Sequence, residues 1–137
     1  MMRNFSFVVC RCPFPESPHY NKWLAVEETK RRGWFLPGGK VDGGETFIQA
    51  AKREALEEAA MNLVFKGWLT LDHKDSSRDR RSGSLWAVLY AEPPSLEVAN
   101  NPKDWPDSES LKAEWKTIAE LEEYDRVSNL RDPLLLQ

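Results

Sequence analysis

Short apolar runs, separated by charged, glycine-rich or proline-rich segments, predict a chain built largely of β-strands. The segment 13–19 holds three prolines, so we expect it to join the first two strands as a wide antiparallel hairpin. Gly67 predicts a β-bulge in the fourth run, and the polar segment 73–83 predicts the tip of a long hairpin. The predicted strands cover residues 4–11, 23–26, 34–36, 63–72, 84–92 and the tryptophan-bearing end of 109–116.

One segment has the period of a helix instead. Phe47, Ile48, Ala51, Ala55 and Ala59 recur at three- and four-residue spacing, which places them on one apolar face. A tight turn of one proline and two glycines precedes this segment, and we expect the helix to end near residue 62.

Three glutamates project from another side of the same helix. Glu54, Glu57 and Glu58 stand at positions i, i+3 and i+4, where like charges repel each other by a few tenths of a kcal/mol per pair. Such a face is either solvated or binds a cation, and carboxylates are the hard oxygen ligands that suit Mg²⁺ or Mn²⁺.

Towards the C-terminus, residues 97–107 predict a loop with two prolines. Thr117, followed three residues later by Glu120, predicts a helix that begins with a capping box. Residues 130–136 predict a last apolar helix after Pro133, which either packs on the sheet or pairs with a second subunit as a homodimer.

The spacing around the acidic face resembles the signature of the Nudix hydrolases. Gly39 is followed after five residues by Glu45 and, after seven more, by the segment 53–58 (REALEE). The resemblance implies an α/β fold, a Nudix-type α/β/α sandwich around a mixed β-sheet, formed by residues 1–137 as one domain. The family pattern has glycine where this chain has Ala60, so the helix would run on by a turn or leave differently.

The resemblance also implies a chemistry: divalent-metal-dependent hydrolysis of a diphosphate linkage in a nucleoside diphosphate derivative. Glu54 would act as the base or orient the water, and Arg53, paired with Glu45, would hold the carboxylates in register. An acid from outside the motif would join the ligands, and Glu109 is the first candidate because it precedes the strand with Trp115. The implied Mg²⁺ or Mn²⁺ ligands are Gly39 through its carbonyl, Glu54, Glu57, Glu58 and Glu109.

The substrate is less defined, and the segments around Lys40 and Glu109 are similar to those of members that remove oxidised purine nucleotides. Trp105 is a candidate to stack on a base, and the predicted substrate-binding residues are Trp105, Lys40, Arg78, Arg80 and Arg81. A diphosphoinositol or dinucleoside-polyphosphate hydrolase remains an alternative, favoured by the basic clusters at 30–32 and 78–81. A non-catalytic nucleotide-binding module on the same scaffold is the alternative from another class.

Charge and composition limit the classes of binding partner that we expect. Residues 92–137 hold 11 acids and 5 bases, so the first 91 residues carry a net charge of +3 within a chain of net charge −3. A positive region around an acidic site suits a small anionic substrate, whereas DNA binding is not expected. We expect no membrane span and no signal peptide, and Cys10 and Cys12 are expected to be reduced thiols of a cytoplasmic protein.

Overall fold

The computed structural model of the chain describes residues 3–75 and 83–124. Seven strands and three helices form there, and the predicted strands are all present with shifted ends. The elements are β1 (Arg3–Cys10), β2 (Trp23–Glu28), β3 (Gly33–Phe35), β4 (Gly38–Lys40), α1 (Phe47–Ala59), β5 (Val64–Asp75), β6 (Gly83–Glu92), α2 (Leu96–Ala99), β7 (Lys112–Lys116) and α3 (Ile118–Glu122).

The strands form two sheets. The larger has the order β4-β1-β6-β5, with β1 parallel to β6 and the other pairs antiparallel, so it is mixed. The smaller has the order β3-β2-β7 and is antiparallel throughout. The predicted wide hairpin between the first two strands is therefore wrong: β1 and β2 lie in different sheets, and a single bridge between Arg11 and Trp23 joins their ends.

Helices cover the sheets from both sides. Ala51, Ala55 and Ala59 of α1 pack in one apolar cluster that also holds Val8, Leu24 and Trp115 from the two sheets. Leu121 of α3 packs in a second cluster with Phe7 of β1 and further residues of both sheets. The predicted α/β/α sandwich around a mixed sheet is confirmed.

Local sequence signals explain how α1 begins and ends. The Thr46 hydroxyl accepts from the Gln49 amide, while the Gln49 side chain accepts from the Thr46 amide, which completes a capping box. The helix ends at Ala59, because Ala60 adopts φ 57° and ψ 34°, the left-handed conformation that glycine supplies more easily. The helix does not run on by a turn, and Ala60 adopts the left-handed conformation at a cost of roughly 1 kcal/mol relative to glycine.

Other predicted details meet different outcomes. The bulge near Gly67 and the Thr117–Glu120 capping box are confirmed. The predicted loop 97–107 is partly wrong, because its first residues belong to the short helix α2. The tip of the β5–β6 hairpin and the helix at 130–136 lie outside the described residues. No helix among residues 3–75 and 83–124 is long and apolar enough to cross a membrane.

Candidate active site

Two glycines of β4 let the acidic face of α1 approach the sheet closely. The Gly38 amide donates to Glu58 Oε1 at 2.8 Å, and Gly38 adopts φ +146°, where a Cβ would collide with the β1 backbone. A Cβ on Gly39 would stand 2.9 Å from Glu54 Oε1. The predicted glycine turn is therefore wrong, since Gly38–Lys40 form β4, and glycine is required there because the carboxylates of α1 lie directly against this backbone.

Arg53 connects the helix to the segment before it. Its guanidinium donates to Glu45 through Nε at 2.9 Å and Nη2 at 3.1 Å, which is a bidentate pair. It also donates to Glu54 at 3.0 Å, to Glu57 at 3.3 Å and to the carbonyl of Lys40 at 3.1 Å. The hydrogen bond from Arg53 is the main cause that lowers the pKa of Glu45, and the same bond raises the pKa of Arg53.

The three motif glutamates are held where ionisation is unfavourable. Burial is the largest cause that raises the pKa of Glu54, of Glu57 and of Glu58, and it brings that of Glu58 to about 9. Glu58 is 6% exposed, and its hydrogen bond from Gly38 only partly offsets this shift. The negative charge of Glu109 raises all three pKa values, so this fourth carboxylate lies close to the others.

This set of donors fits a hard divalent cation. Four carboxylates and the nearby Gly39 carbonyl offer only oxygen ligands, and a cation would offset the cost of burial and the repulsion that together raise the pKa values of the three motif glutamates. Within the described part of the chain, however, no three acidic side chains already converge into a formed metal cluster. Arg53 donates to Glu54 and Glu57, and the Gly38 amide donates to Glu58, so these hydrogen bonds orient the carboxylates while each keeps further oxygen lone pairs for a cation.

A cavity of about 360 Å³ opens beside these carboxylates. Glu58, Glu109, Gly39 and Lys40 line it, together with Arg32 from the turn between β2 and β3. That turn places Lys30 and Arg31 at φ 59° and 58°, as in the two central residues of a type I′ hairpin turn. Sequence reasoning named the 30–32 cluster as a weak candidate for phosphate contact, whereas Thr29 and Ser108, which also line the cavity, gave no signal.

Three aromatic side chains form one wall of the same cavity. The Trp86 ring stacks on Phe5 with centroids 4.6 Å apart and on Phe7 with centroids 5.2 Å apart. The ammonium of Lys74 lies 4.3 Å from the centroid of the Trp86 ring. The pleat of β1 and its parallel pairing with β6 produce this arrangement, because Phe5 lies beside Trp86 in the register.

One further predicted substrate residue, Trp105, does not line this cavity. Trp105 is half-exposed, and its ring centroid lies 6.0 Å from the Lys103 ammonium. Arg78, Arg80 and Arg81 lie outside the described residues. Lys103, which sequence reasoning missed, is buried beneath the end of α1.

The α/β/α sandwich thus places an acidic helix against a glycine-containing strand, beside a cavity with an aromatic wall. Residues 13–136 match the NUDIX domain, and the chain belongs to the Nudix family.

Among its relatives, the mouse (Mus musculus) 8-oxo-dGDP phosphatase NUDT18 is 35% identical over 95 residues, which are 67% of this chain and 27% of that protein. Nudix hydrolase 16, mitochondrial, of Arabidopsis thaliana is 29% identical over 116 residues, 82% of this chain and 62% of that protein. The chain thus spans about a quarter of the length of NUDT18. A solved NUDIX hydrolase from Nitrosomonas europaea has a TM-score of 0.67 at 23% identity, covering 100% of this chain and 85% of the other, a likeness of fold.

Proposed function

We propose that this chain is a divalent-metal-dependent hydrolase that cleaves a diphosphate linkage in a purine nucleoside di- or triphosphate, including oxidised forms. One observation carries the proposal: Glu58 of α1, Glu109 and an aromatic stack line the same cavity. Aromatic rings stack on bases, and clustered carboxylates bind the cations that accompany phosphates. The 8-oxo-dGDP phosphatase activity named for the NUDT18 relatives supports the choice of a purine.

Each group of the acidic site then has a task, and Glu54 has two. Glu57, Glu58, Glu109, Glu54 and the Gly39 carbonyl hold Mg²⁺ or Mn²⁺. When bound, such a cation neutralises phosphate charge and makes an attacking water more acidic.

Proton transfer and positioning fall to two neighbouring residues of α1. Glu54 accepts the proton of the attacking water, and burial, which raises its pKa, makes it a better base than an exposed glutamate. Arg53 does not contact the substrate: with Glu45 as its main partner, it fixes the direction of the carboxylates.

The substrate binds by its two ends. A purine stacks on the half-buried rings of Phe5 and Trp86, which stand at the cavity wall. Arg32 and Lys40 lie at the same cavity and carry the positive charge that attracts the phosphates. Arg78, Arg80 and Arg81 are proposed to add to this charge, as the sequence predicts.

The test is a substrate panel with Mg²⁺, with Mn²⁺ and with chelator, in which released phosphate, pyrophosphate and nucleoside monophosphate are measured. The panel contains ordinary and 8-oxo purine nucleoside di- and triphosphates, dinucleoside polyphosphates, nucleotide sugars and a diphosphoinositol. We expect metal-dependent turnover of the purine nucleotides. Silence across the panel, with a folded protein, would favour the non-catalytic binding module instead.

Two tryptophan variants test where the purine ring of the substrate binds. Trp86→Leu should raise KM for purine nucleotides by about tenfold, since stacking contributes about 1–3 kcal/mol per base, with a smaller change in kcat. Trp105→Leu is the matched comparison. An unchanged KM in this variant would show that Trp105 does not stack on the substrate, contrary to the sequence-based prediction. An unchanged KM in Trp86→Leu would refute the stacking proposal.

Arg32 at the cavity favours one second candidate, a diphosphoinositol or dinucleoside-polyphosphate hydrolase. These substrates carry more phosphate charge, so Arg32→Ala should reduce kcat/KM for them more than for a purine diphosphate. The single domain, the homodimer and the cytoplasmic location stay predictions.

A further inference from the structure

Lys103 is one of the few buried charged residues in the described chain. It is 1% exposed, and its ammonium donates to the Ser110 hydroxyl at 3.0 Å and to the Glu57 carbonyl at 3.2 Å. It also pairs with Asp107 at 2.6 Å, and Asp107 itself is partly exposed. A lysine so deeply buried is rare unless its donors are satisfied, so the surrounding structure is built around it.

The partners of Lys103 lie at the C-terminal end of α1. The last carbonyls of an α-helix have no partner within the helix, and here those of Glu57, Glu58 and Ala59 are in that position. Lys103 Nζ donates to Glu57, the Ser110 hydroxyl donates to Glu58 at 2.7 Å, and the Lys103 amide donates to Ala59 at 3.1 Å. The loop between α2 and β7 therefore satisfies all three carbonyls.

No basic residue stands in the last turn of α1 itself. The negative end of a helix dipole attracts a cation, and Lys103 supplies that charge from a distant segment. Glu57 and Glu58 thus have their side chains in the acidic site and their carbonyls bound to this loop.

The same loop carries Glu109. Asp107 Oδ1 accepts from the Glu109 amide at 2.8 Å and from the Ser110 amide at 3.2 Å, while Lys103 neutralises that carboxylate. The Asp107 amide donates to the Ser110 carbonyl at 3.0 Å, which closes the turn. The backbone at Glu109 is therefore held in place by its neighbours Asp107 and Ser110 and by Lys103.

We propose that Lys103 is a positioning residue, which locks the loop bearing Glu109 onto the end of α1 so that Glu57, Glu58 and Glu109 are held together for the divalent cation. The inference rests on the proposed function, because it assumes that these carboxylates bind a metal. Ser110 has the same role through its bond to Glu58, and Lys103 touches neither substrate nor metal.

The test measures Mn²⁺ binding by electron paramagnetic resonance of the free ion, without substrate, in the wild type and in Lys103→Met and Ser110→Ala. Groups that orient metal ligands typically change metal affinity by about 10–100-fold, so we expect Kd for Mn²⁺ to rise about tenfold or more in Lys103→Met. Ser110→Ala should shift it in the same direction by less. At saturating metal, KM for the nucleotide should change little.

Lys116→Met is the matched control. Lys116 is also largely buried and pairs with Glu114 at 2.9 Å, but it lies on β7 outside the acidic site. This variant should lower the melting temperature without a change in Kd for Mn²⁺. A merely structural role for Lys103 would likewise move the melting temperature alone.

The outcomes separate the two proposals. Wild-type protein that binds no Mn²⁺ and turns over nothing would overturn the proposed function and this inference with it. Wild-type binding that is unchanged in Lys103→Met and Ser110→Ala would overturn the positioning role while the proposed function stands. If Lys103→Met does not fold, Ser110→Ala and Asp107→Asn decide, and unchanged Mn²⁺ affinity in both would refute the role.

Discussion

Two faces of α1 have opposite effects on the stability of the fold. Its alanine face, Ala51, Ala55 and Ala59, is fully buried and packs in the apolar cluster with residues of both sheets. Its glutamate face is only partly withdrawn from water, because Glu58 is buried while the Glu57 side chain is 35% exposed, and burial still raises the pKa of each of its carboxyls. One face stabilises the fold, whereas the other opposes it in the metal-free protein. The comparison shows that packing of the alanine face offsets the free-energy cost of holding the glutamates where their ionisation is disfavoured.

We expect the largest effect, a loss of turnover, when one carboxylate charge is removed from the glutamate face. Glu57→Gln should reduce turnover at least about 100-fold, because it removes a ligand charge, while the circular dichroism spectrum stays unchanged. Glu97→Gln, the same change at an exposed position on α2, should leave turnover intact. Near-normal activity of Glu57→Gln would remove the metal-site argument.

Breaking the alanine face should instead affect stability. Ala55→Leu forces extra methyl groups into a site with no exposed surface, so unfolding in urea should require about 1–3 kcal/mol less. Lys52→Leu, on the exposed part of the same helix, should change stability by less than about 0.5 kcal/mol. Equal effects of the two substitutions would contradict the division of the helix into faces.

The pH dependence of the metal-free protein sharpens the comparison. The pKa of Glu58 is raised to about 9, so the folded state holds this proton more tightly than the unfolded state does. Stability should therefore be lost as pH rises from the unfolded value, near 4.5, through about 9. Glu58→Gln should flatten this decline and add about 2–3 kcal/mol at pH 7 with chelator present.

Melting curves of both proteins between pH 5 and 9 provide the check. Added Mg²⁺ should stabilise the wild type more than the variant, since the cation replaces the proton as the neutralising charge. If the stability of Glu58→Gln declined with pH as steeply as that of the wild type, another group would be the cause.

The smallest effect is expected at the end of the helix. Ala60→Gly should stabilise the protein by about 1 kcal/mol, because glycine adopts the left-handed conformation without the penalty of a Cβ. Lys52→Gly, inside the same helix, should lose a similar amount. Denaturant titration of both variants measures this, and a loss of stability in Ala60→Gly would contradict the role assigned to that conformation.

Local signals predicted much of the fold. The spacing of the alanines placed α1, and the runs of β-branched and aromatic residues placed the strands, because these patterns act within a few residues. The hairpin prediction for β1 and β2 failed because strand pairing is non-local, and β1 pairs instead with β6, some eighty residues further along the chain. The end of α1 at Ala60 also depends on tertiary contacts, since sequence alone favours no left-handed alanine.

The site was predictable where the motif is local and less so where it is assembled. The pairing of Arg53 with Glu45 was implied by the resemblance to the family motif, and the structure shows the contact. The aromatic wall requires the register between β1 and β6, which no local pattern specifies. Trp105 does not line this cavity, and its contact with the substrate stays a prediction. Lys103 carried no signal, because its partners are main-chain carbonyls of a distant helix.

The central claim is that the glutamate face of α1 binds a divalent cation. The most direct measurement is a Mn²⁺ titration of wild type and Glu57→Gln, followed by electron paramagnetic resonance without substrate. We predict that the wild type binds Mn²⁺ and that Glu57→Gln loses at least about tenfold in affinity while it remains folded. Equal affinity in the two proteins, or no binding by the wild type, would contradict the account.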